Sequence, residues 1–342
     1  MAPLPNYSGM KEFAAHYFSI RRLLQANLSQ AHAVYLSLPC VIGDLLWRSL
    51  DPGRPFGAGV CGDPYDALAP GAISHPLRPA LRWWFSQQLR RECRRACACT
   101  YVTRYALQNR YPCKPEVFST YYSSINLSPE AIANTPRAFT PGSNPKQIIN
   151  VGTFDTWYKA PDILLEALNR CLKRGLDLSL TLIGDGRHRH EAEQLATKLG
   201  VAARVRFAGQ LPFSGAVRAE LDTADLFVLP SRQEGLPKAM VEAMARGLPC
   251  IGTTVGGIPE LLPEEDLVPP NDAAVLSCRM EEVLLNPGRM SAMSARNLVT
   301  AREYQSDILK NRRTAFYQVL RSRTAEWLKL PSISSLSADN FA

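Results

Sequence analysis

The chain lacks the long apolar run that crosses a bilayer. None of its 342 residues lie in a stretch approaching roughly eighteen consecutive apolar positions, so no membrane-spanning helix is predicted. Its opening, MAPLPNYSGMKEF, has no apolar core behind a basic flank, so no secretory leader is predicted. The nine cysteines form no paired C-x-x-C unit, and no nearby histidine completes a zinc set with Cys93, Cys97 and Cys99. An odd number at irregular spacing reads as reduced thiols in a cytoplasmic protein rather than a disulfide framework. No D-x-D motif occurs, so neither metal nor other cofactor is expected. No module of a nucleic-acid-binding protein accompanies the basic charge, and nucleic acid is not an expected partner.

What is present is the composition of a globular protein, 46% apolar and 20% charged, in a chain long enough for two domains. The net charge of +8 is uneven. Residues 1–145 hold 15 Lys and Arg against 8 Asp and Glu; residues 146–342 hold 24 against 23. Two parts with different partners are expected.

From Gln147 onward, short apolar runs alternate with amphipathic stretches. The runs cover 147–151, 178–184, 204–209, 225–230 and 249–253, and the predicted helices 160–174, 188–199, 214–222 and 237–247. That alternation predicts a parallel sheet covered on both faces, with ligands at the carboxyl ends of its strands. The first part is less regular: helices over 10–27, 41–50 and 78–96, and strands over 33–38, 55–61, 100–103 and 116–121. The Pro-rich stretch 134–146 reads as the interdomain linker, residues 306–328 as a last long helix, and PSISSLSADNFA as a frayed end.

Several turns fall at the predicted ligand edge. Gly184-Asp185-Gly186 ends one run before a helix, where glycines admit a ligand to the backbone and the helix start offers free N–H groups. Gly152-Thr153, with Lys159 six residues beyond the threonine, is a second such end, and the lysine could neutralise a phosphate. Each is equally readable as a tight turn or a solvated helix start. The stretch TTVGGIPELL makes a third. Between them, SRQEGLPKAMVEAMARGLPC places Glu234 and Glu242 around a helix start at Pro237. Glu242 sits among apolar neighbours, and a half-buried carboxylate there needs donors such as sugar hydroxyls.

The segment EGLPKAMVEAMARGLPCIGTTVGGIPELL resembles the E-x7-E region of family 4 glycosyltransferases, retaining enzymes of the GT-B fold. INVGTFDTWYKAPDILLEAL, LTLIGDGRHRHEAEQLATKLGVAARVRFAGQL and ADLFVLPSRQEG resemble that family in order and spacing. The resemblance implies an α/β protein of two Rossmann-like domains facing a cleft. They would span 1–140 on the acceptor side and 146–305 for the nucleotide-sugar, with helix 306–328 crossing back. It implies transfer of a sugar from a nucleotide-sugar, such as a UDP- or GDP-sugar, to an acceptor hydroxyl with retention. In that pattern Glu242 binds the ribose, and Glu234 with Gly235 and Leu236 faces the donor sugar. Lys159, with Gly152 and Thr153, meets the diphosphate, and Gly184 and Gly186 lie near the nucleotide. Thr153 stands where the family often has arginine, so less charge faces the diphosphate.

The first part resembles the acceptor domain more weakly, and its opening β-α units look absent, which predicts an N-terminally shortened domain with an unpaired sheet edge. Asp63, after a strand, is the candidate there to contact the reacting sugars, or else merely opens a turn. Thr103 stands where a serine is usual. The arginines of helix 78–96, mixed with Trp83 and Trp84, suit the inner face of an anionic membrane; alternatively the tryptophans are core and the arginines a solvated face. The acceptor, a glycan or lipid-linked molecule, is not named by the residues. Rival readings are a nucleotide-sugar epimerase, a phosphorylase-like enzyme and a nucleotide-sugar-binding remnant without turnover.

Overall fold

The structure, a computed structural model, describes residue 5 and residues 9–30, 33–69, 75–140, 146–212 and 214–328. The end expected to fray and part of the expected linker lie outside these residues.

The first domain runs α1 (Gly9–Gln30), β1 (Tyr35–Leu38), α2 (Val41–Arg48), β2 (Gly57–Val60), α3 (Pro64–Ala67), α4 (Arg78–Arg95), β3 (Ala98–Tyr101), α5 (Ala106–Arg110) and β4 (Phe118–Tyr121). Its four strands pair in parallel in the order β1-β2-β3-β4. The small residues of β2 have a packing reason. A Cβ on Gly57 would lie 2.7 Å from Phe316 Cζ, and one on Gly59 would lie 1.9 Å from the Tyr35 hydroxyl. Those two rings fill the space the glycines leave. β3 sits two residues earlier than the expected 100–103, because Ala98 is the residue in register with Gly57. β1 pairs with β2 alone among the described residues.

The second domain runs β5 (Lys146–Val151), α6 (Pro161–Lys173), β6 (Leu178–Ile183), α7 (Arg189–Lys198), β7 (Val205–Gly209), α8 (Ser214–Thr223), β8 (Leu226–Leu229), α9 (Lys238–Ala245), β9 (Cys250–Thr253) and β10 (Leu267–Val268). Then come α10 (Ala273–Leu284), α11 (Pro287–Arg302) and α12 (Ser306–Leu328). All six strands are parallel, in the order β10-β9-β8-β5-β6-β7. Alternate residues face opposite layers, as strand geometry requires. Ile148, Leu226 and Val228 pack with Leu164 and Leu168 of α6, and Ile149, Phe227 and Leu229 with Met240 and Met244 of α9. From β5 the chain winds to one edge through β6 and β7; β8 then returns beside β5 and the chain winds outward to the other edge. The β5/β8 boundary is therefore the switch point, where an open parallel sheet forms its ligand crevice.

The chain joins the second domain before reaching its sheet. Ile125, Leu127, Ala131 and Ile132 belong to the same core cluster as Phe227 and Met244. Arg137 then donates to the carbonyls of Arg246, Ala224 and Leu221 at 2.6–2.9 Å. The return crossing runs beside the outgoing one. Leu127 bridges to Gln305, and the Ser306 amide donates to the Leu127 carbonyl at 3.0 Å. α12 then lays Phe316 and Leu320 against Ala98 of β3.

Candidate functional site

Loops after the two central strands meet at the switch point. The loop after β5 carries Gly152, Thr153 and, on a 3-10 turn at Trp157–Lys159, the lysine. The loop after β8 carries Ser231, Glu234, Gly235 and Leu236 before α9 begins at Lys238. Lys159 Nζ donates to Glu234 Oε1 at 2.6 Å, and Ser231 Oγ donates to the same oxygen at 2.6 Å. Glu234 is 7% exposed. The expected diphosphate ligand and the expected sugar ligand are thus one ion pair at the crevice. One carboxylate oxygen is spoken for, and the ammonium keeps protons to share.

Three features fix that pair. The lysine stem lies over Gly152, where a Cβ would come within 3.0 Å of Lys159 Cγ. Arg232 staples the two loops: its guanidinium binds Asp162 at 2.6 and 2.9 Å and the Trp157 carbonyl at 2.7 Å, and its amide donates to the Tyr158 carbonyl at 2.7 Å. The Gly184–Gly186 turn supports the first loop from below. At φ +134° a Cβ on Gly184 would strike the Gly152 carbonyl oxygen at 1.9 Å, and at φ +150° one on Gly186 would strike Asp155 N at 2.3 Å. Those glycines press against the Gly152–Asp155 backbone. The Thr153 hydroxyl is engaged within its own loop, donating to Asp155 Oδ2 at 2.7 Å.

Glu242 stands apart from the pair, half-buried on α9. Burial pushes its carboxyl above the usual range, against the pull of the Lys238 and Arg218 charges. Among the described residues its oxygens accept no hydrogen bond, so it is a carboxylate with its acceptors open. Leu236, by contrast, is buried in the core beneath the loop.

The first domain closes on this loop. A Cβ on Gly235 would lie 2.8 Å from the Cys61 carbonyl oxygen, and the Gly257 amide donates to the Gly235 carbonyl at 2.7 Å. Thr103, fully buried, accepts from the Leu107 amide in the first turn of α5 at 3.0 Å. The residue that sequence reasoning missed is Glu260. Its carboxylate accepts from three successive amides of the first domain, Arg104 at 2.5 Å, Tyr105 at 2.8 Å and Ala106 at 2.6 Å. Nothing local marked it, because its partners lie over 150 positions away.

Asp63 is 4% exposed, and its oxygens are occupied. Oδ1 accepts from the Tyr65 amide at 2.8 Å and from the Tyr111 hydroxyl at 2.5 Å, while Oδ2 pairs with Arg110. It caps α3. On α4, the reading in which the tryptophans are core is corrected. Trp83 is 63% exposed and Trp84 40%, while Ser86, Leu89 and Cys93 form the buried face.

Residues 132–298 match the family model of glycosyl transferases group 1. Over 315 residues, 88% of this chain, the sequence is 24% identical to Protein CapJ of Staphylococcus aureus, of which 78% is covered. It is 34% identical to the putative colanic acid biosynthesis glycosyltransferase WcaL of Escherichia coli over 43% of this chain and 38% of that protein. It is 31% identical to N-acetyl-alpha-D-glucosaminyl L-malate synthase of Bacillus anthracis, over 52% and 46% respectively. The match thus spans less than half the length of the latter two. Among solved structures, sucrose-phosphate synthase of Thermosynechococcus elongatus superposes with a TM-score of 0.71 at 17% identity, covering 93% of this chain and 81% of that one. HepE of Anabaena, in complex with UDP and glucose, superposes with a TM-score of 0.63 at 18% identity, covering 87% and 82%. The two parallel-sheet domains are those of the GT-B fold.

Proposed function

From the match of residues 132–298 to the family model of glycosyl transferases group 1, we propose that the chain is a member of that family and moves a sugar from a nucleotide-sugar to an acceptor hydroxyl, with retention of configuration. One observation carries the assignment of roles: Lys159 and Glu234, 75 positions apart, meet at 2.6 Å where the strand order reverses.

The chemical problem is separation of charge, since the anomeric carbon becomes cationic while a diphosphate departs as an anion. Lys159 faces the departing diphosphate, held by its contact with Glu234 and by its stem over Gly152. A positioned ammonium in a closed cleft stabilises the leaving group without reorganising at the moment of reaction. The N-terminus of α9 adds unpaired N–H groups beside it. Glu234 orients the donor sugar by accepting from its hydroxyls with the oxygen that Lys159 leaves open, and the Gly235–Leu236 backbone lines the same sugar. With Lys159 and Ser231 bound to it, Glu234 acts as a hydroxyl clamp and not as a nucleophile. Glu242, with open acceptors, takes the ribose hydroxyls. Gly184 and Gly186 act through the Gly152–Asp155 loop they support. Asp63 contributes by holding Tyr65 and Arg110 at the acceptor side.

The acceptor is a glycan or a lipid-linked molecule at the cytoplasmic face of a membrane. Support comes from α4, which turns Trp83 and Trp84 to solvent with Arg91, Arg94 and Arg95 exposed, a mixture suited to an anionic surface.

The test is calorimetric titration of UDP- and GDP-sugars into the wild type and Glu242→Ala, followed by transfer of radiolabelled sugar to candidate acceptors. Binding by the wild type and its loss in the variant are expected. Equal nucleotide affinity in the two proteins removes the ribose role, and donor turnover without transfer points instead to interconversion of the donor.

A further inference from the structure

Along α4, Arg78, Arg82, Ser86 and Arg90 recur every fourth residue and so form one stripe. The stripe faces α3 across a recess of about 300 Å³, with Tyr65 on the α3 side and Trp83 on its rim. The arrangement is costly for a helix. Like charges at this spacing repel, and Arg78 sits in a first turn that has no acidic residue, where the helix dipole disfavours a cation. Among the described residues no carboxylate lies within 4.0 Å of any of the three arginines; Asp66 of α3, paired with Arg110, is the acid whose charge reaches Arg82. An anion between α3 and α4 would relieve both costs.

The guanidiniums are already aimed. Arg82 Nε donates to the Tyr65 carbonyl at 2.7 Å, and its guanidinium carbon lies 3.4 Å from the Tyr65 ring centroid. Arg90 Nε donates to the Arg110 carbonyl at 2.9 Å. Each uses Nε to fix its plane and keeps its terminal nitrogens for a ligand, a geometry that suits the oxygens of a phosphoryl group. Arg110, which pairs with Asp63 and Asp66, has its guanidinium carbon 4.6 Å from that same ring centroid.

We propose that this recess binds a phosphate ester carried by the acceptor, with Arg78, Arg82 and Arg90 on the phosphoryl oxygens and Tyr65 and Trp83 against the ring or chain that bears it. The proposal rests on the transferase reading and adds the chemical class of the acceptor. The phosphate can belong to a soluble sugar phosphate or to a lipid headgroup.

The full chain is titrated with glucose 1-phosphate by calorimetry, and floated with phosphatidylcholine vesicles with and without phosphatidylglycerol. The proteins compared are the wild type, Arg78→Gln, Arg78→Glu and, as a bulk-charge control, Arg302→Gln, an exposed arginine on α11 of the second domain. Loss of a charge-assisted contact predicts at least about tenfold weaker binding in Arg78→Gln, more in Arg78→Glu, and little change in Arg302→Gln. An effect on glucose 1-phosphate assigns a soluble source, and an effect on vesicles alone assigns a lipid; either supports the recess. Wild-type behaviour of both Arg78 variants, or equal losses in Arg302→Gln, overturns it. UDP-sugar affinity and the thermal transition are measured on the same samples. A failure of the recess with donor binding intact therefore leaves the transferase reading standing, and the reverse failure is equally visible.

Discussion

Replacing Lys159 by alanine strands Glu234. The carboxylate is 7% exposed and would keep Ser231 as its donor. Removing one partner of a buried ion pair costs about 3–5 kcal/mol, because the remaining charge is uncompensated. The Ser231 hydroxyl retains about 1 kcal/mol of that, so the net loss is about 2–4 kcal/mol. Adding Glu234→Gln removes the stranded charge, and an amide tolerates burial beside a hydroxyl far better. The double variant should therefore recover about 2 kcal/mol relative to Lys159→Ala. The assay is urea unfolding followed by circular dichroism, run on wild type, both single variants and the double variant. Sugar transfer by the same four proteins separates fold from chemistry: stability returns in the double variant and transfer does not. A double variant no more stable than Lys159→Ala would falsify the buried-pair account, and recovered transfer would remove Lys159 from the leaving-group role.

Gly186→Ala places a methyl group at φ +150° against Asp155 N, and should lower the thermal transition and sugar transfer together, at a cost of about 2 kcal/mol or more; an unchanged melting curve counts against the supporting role of that turn. Glu92 supplies a pH dependence. Burial raises its carboxyl from 4.5 to about 7, against the Gln88 hydrogen bond that lowers it. The folded protein thus holds this proton more tightly than the unfolded chain, a stabilisation complete below about pH 4.5 and lost as pH rises through about 7. At about 1.4 kcal/mol per unit the loss approaches about 3 kcal/mol, and urea midpoints from pH 5 to 8.5 should decline in the wild type and flatten in Glu92→Gln; parallel declines refute the assignment. Glu260→Gln should speed hydrogen exchange of the Arg104, Tyr105 and Ala106 amides by about tenfold, since bonds to a charged acceptor are the stronger ones; unaltered exchange at those amides means the contact is not held in solution.

The second sheet was legible because its strands are buried on both faces and read as near-continuous apolar runs, so β5 through β9 lie within a residue or two of their expected places. α10 and α11 went unnoticed although both carry start signals, Asp272 accepting from the Ala274 and Val275 amides, and Asn286 ahead of Pro287. β10, of two residues, has too little pattern to read. At the site, the residues were legible and their mutual arrangement was not. Spacing within the E-x7-E segment singled out Glu234 and Glu242, but that Lys159 closes onto Glu234 is decided by the adjacency of β5 and β8, which no local window contains. The same limit hid Glu260. Asp63 was equally readable as a site residue or as the start of a turn, and Oδ1 does accept from the Tyr65 amide at the start of α3.

The two chain crossings between the domains have a mechanical consequence. Leu127 and Gln305 run side by side, joined by the Ser306 amide donating to the Leu127 carbonyl, so the domains share one double-stranded tether in place of two separate strings. A paired tether resists twisting and sliding, and leaves bending about one line as the soft motion. Opening for exchange of donor and product would then follow a single repeatable arc, bringing Gly235 back to the Cys61 carbonyl and Glu260 back to its three amides on every stroke.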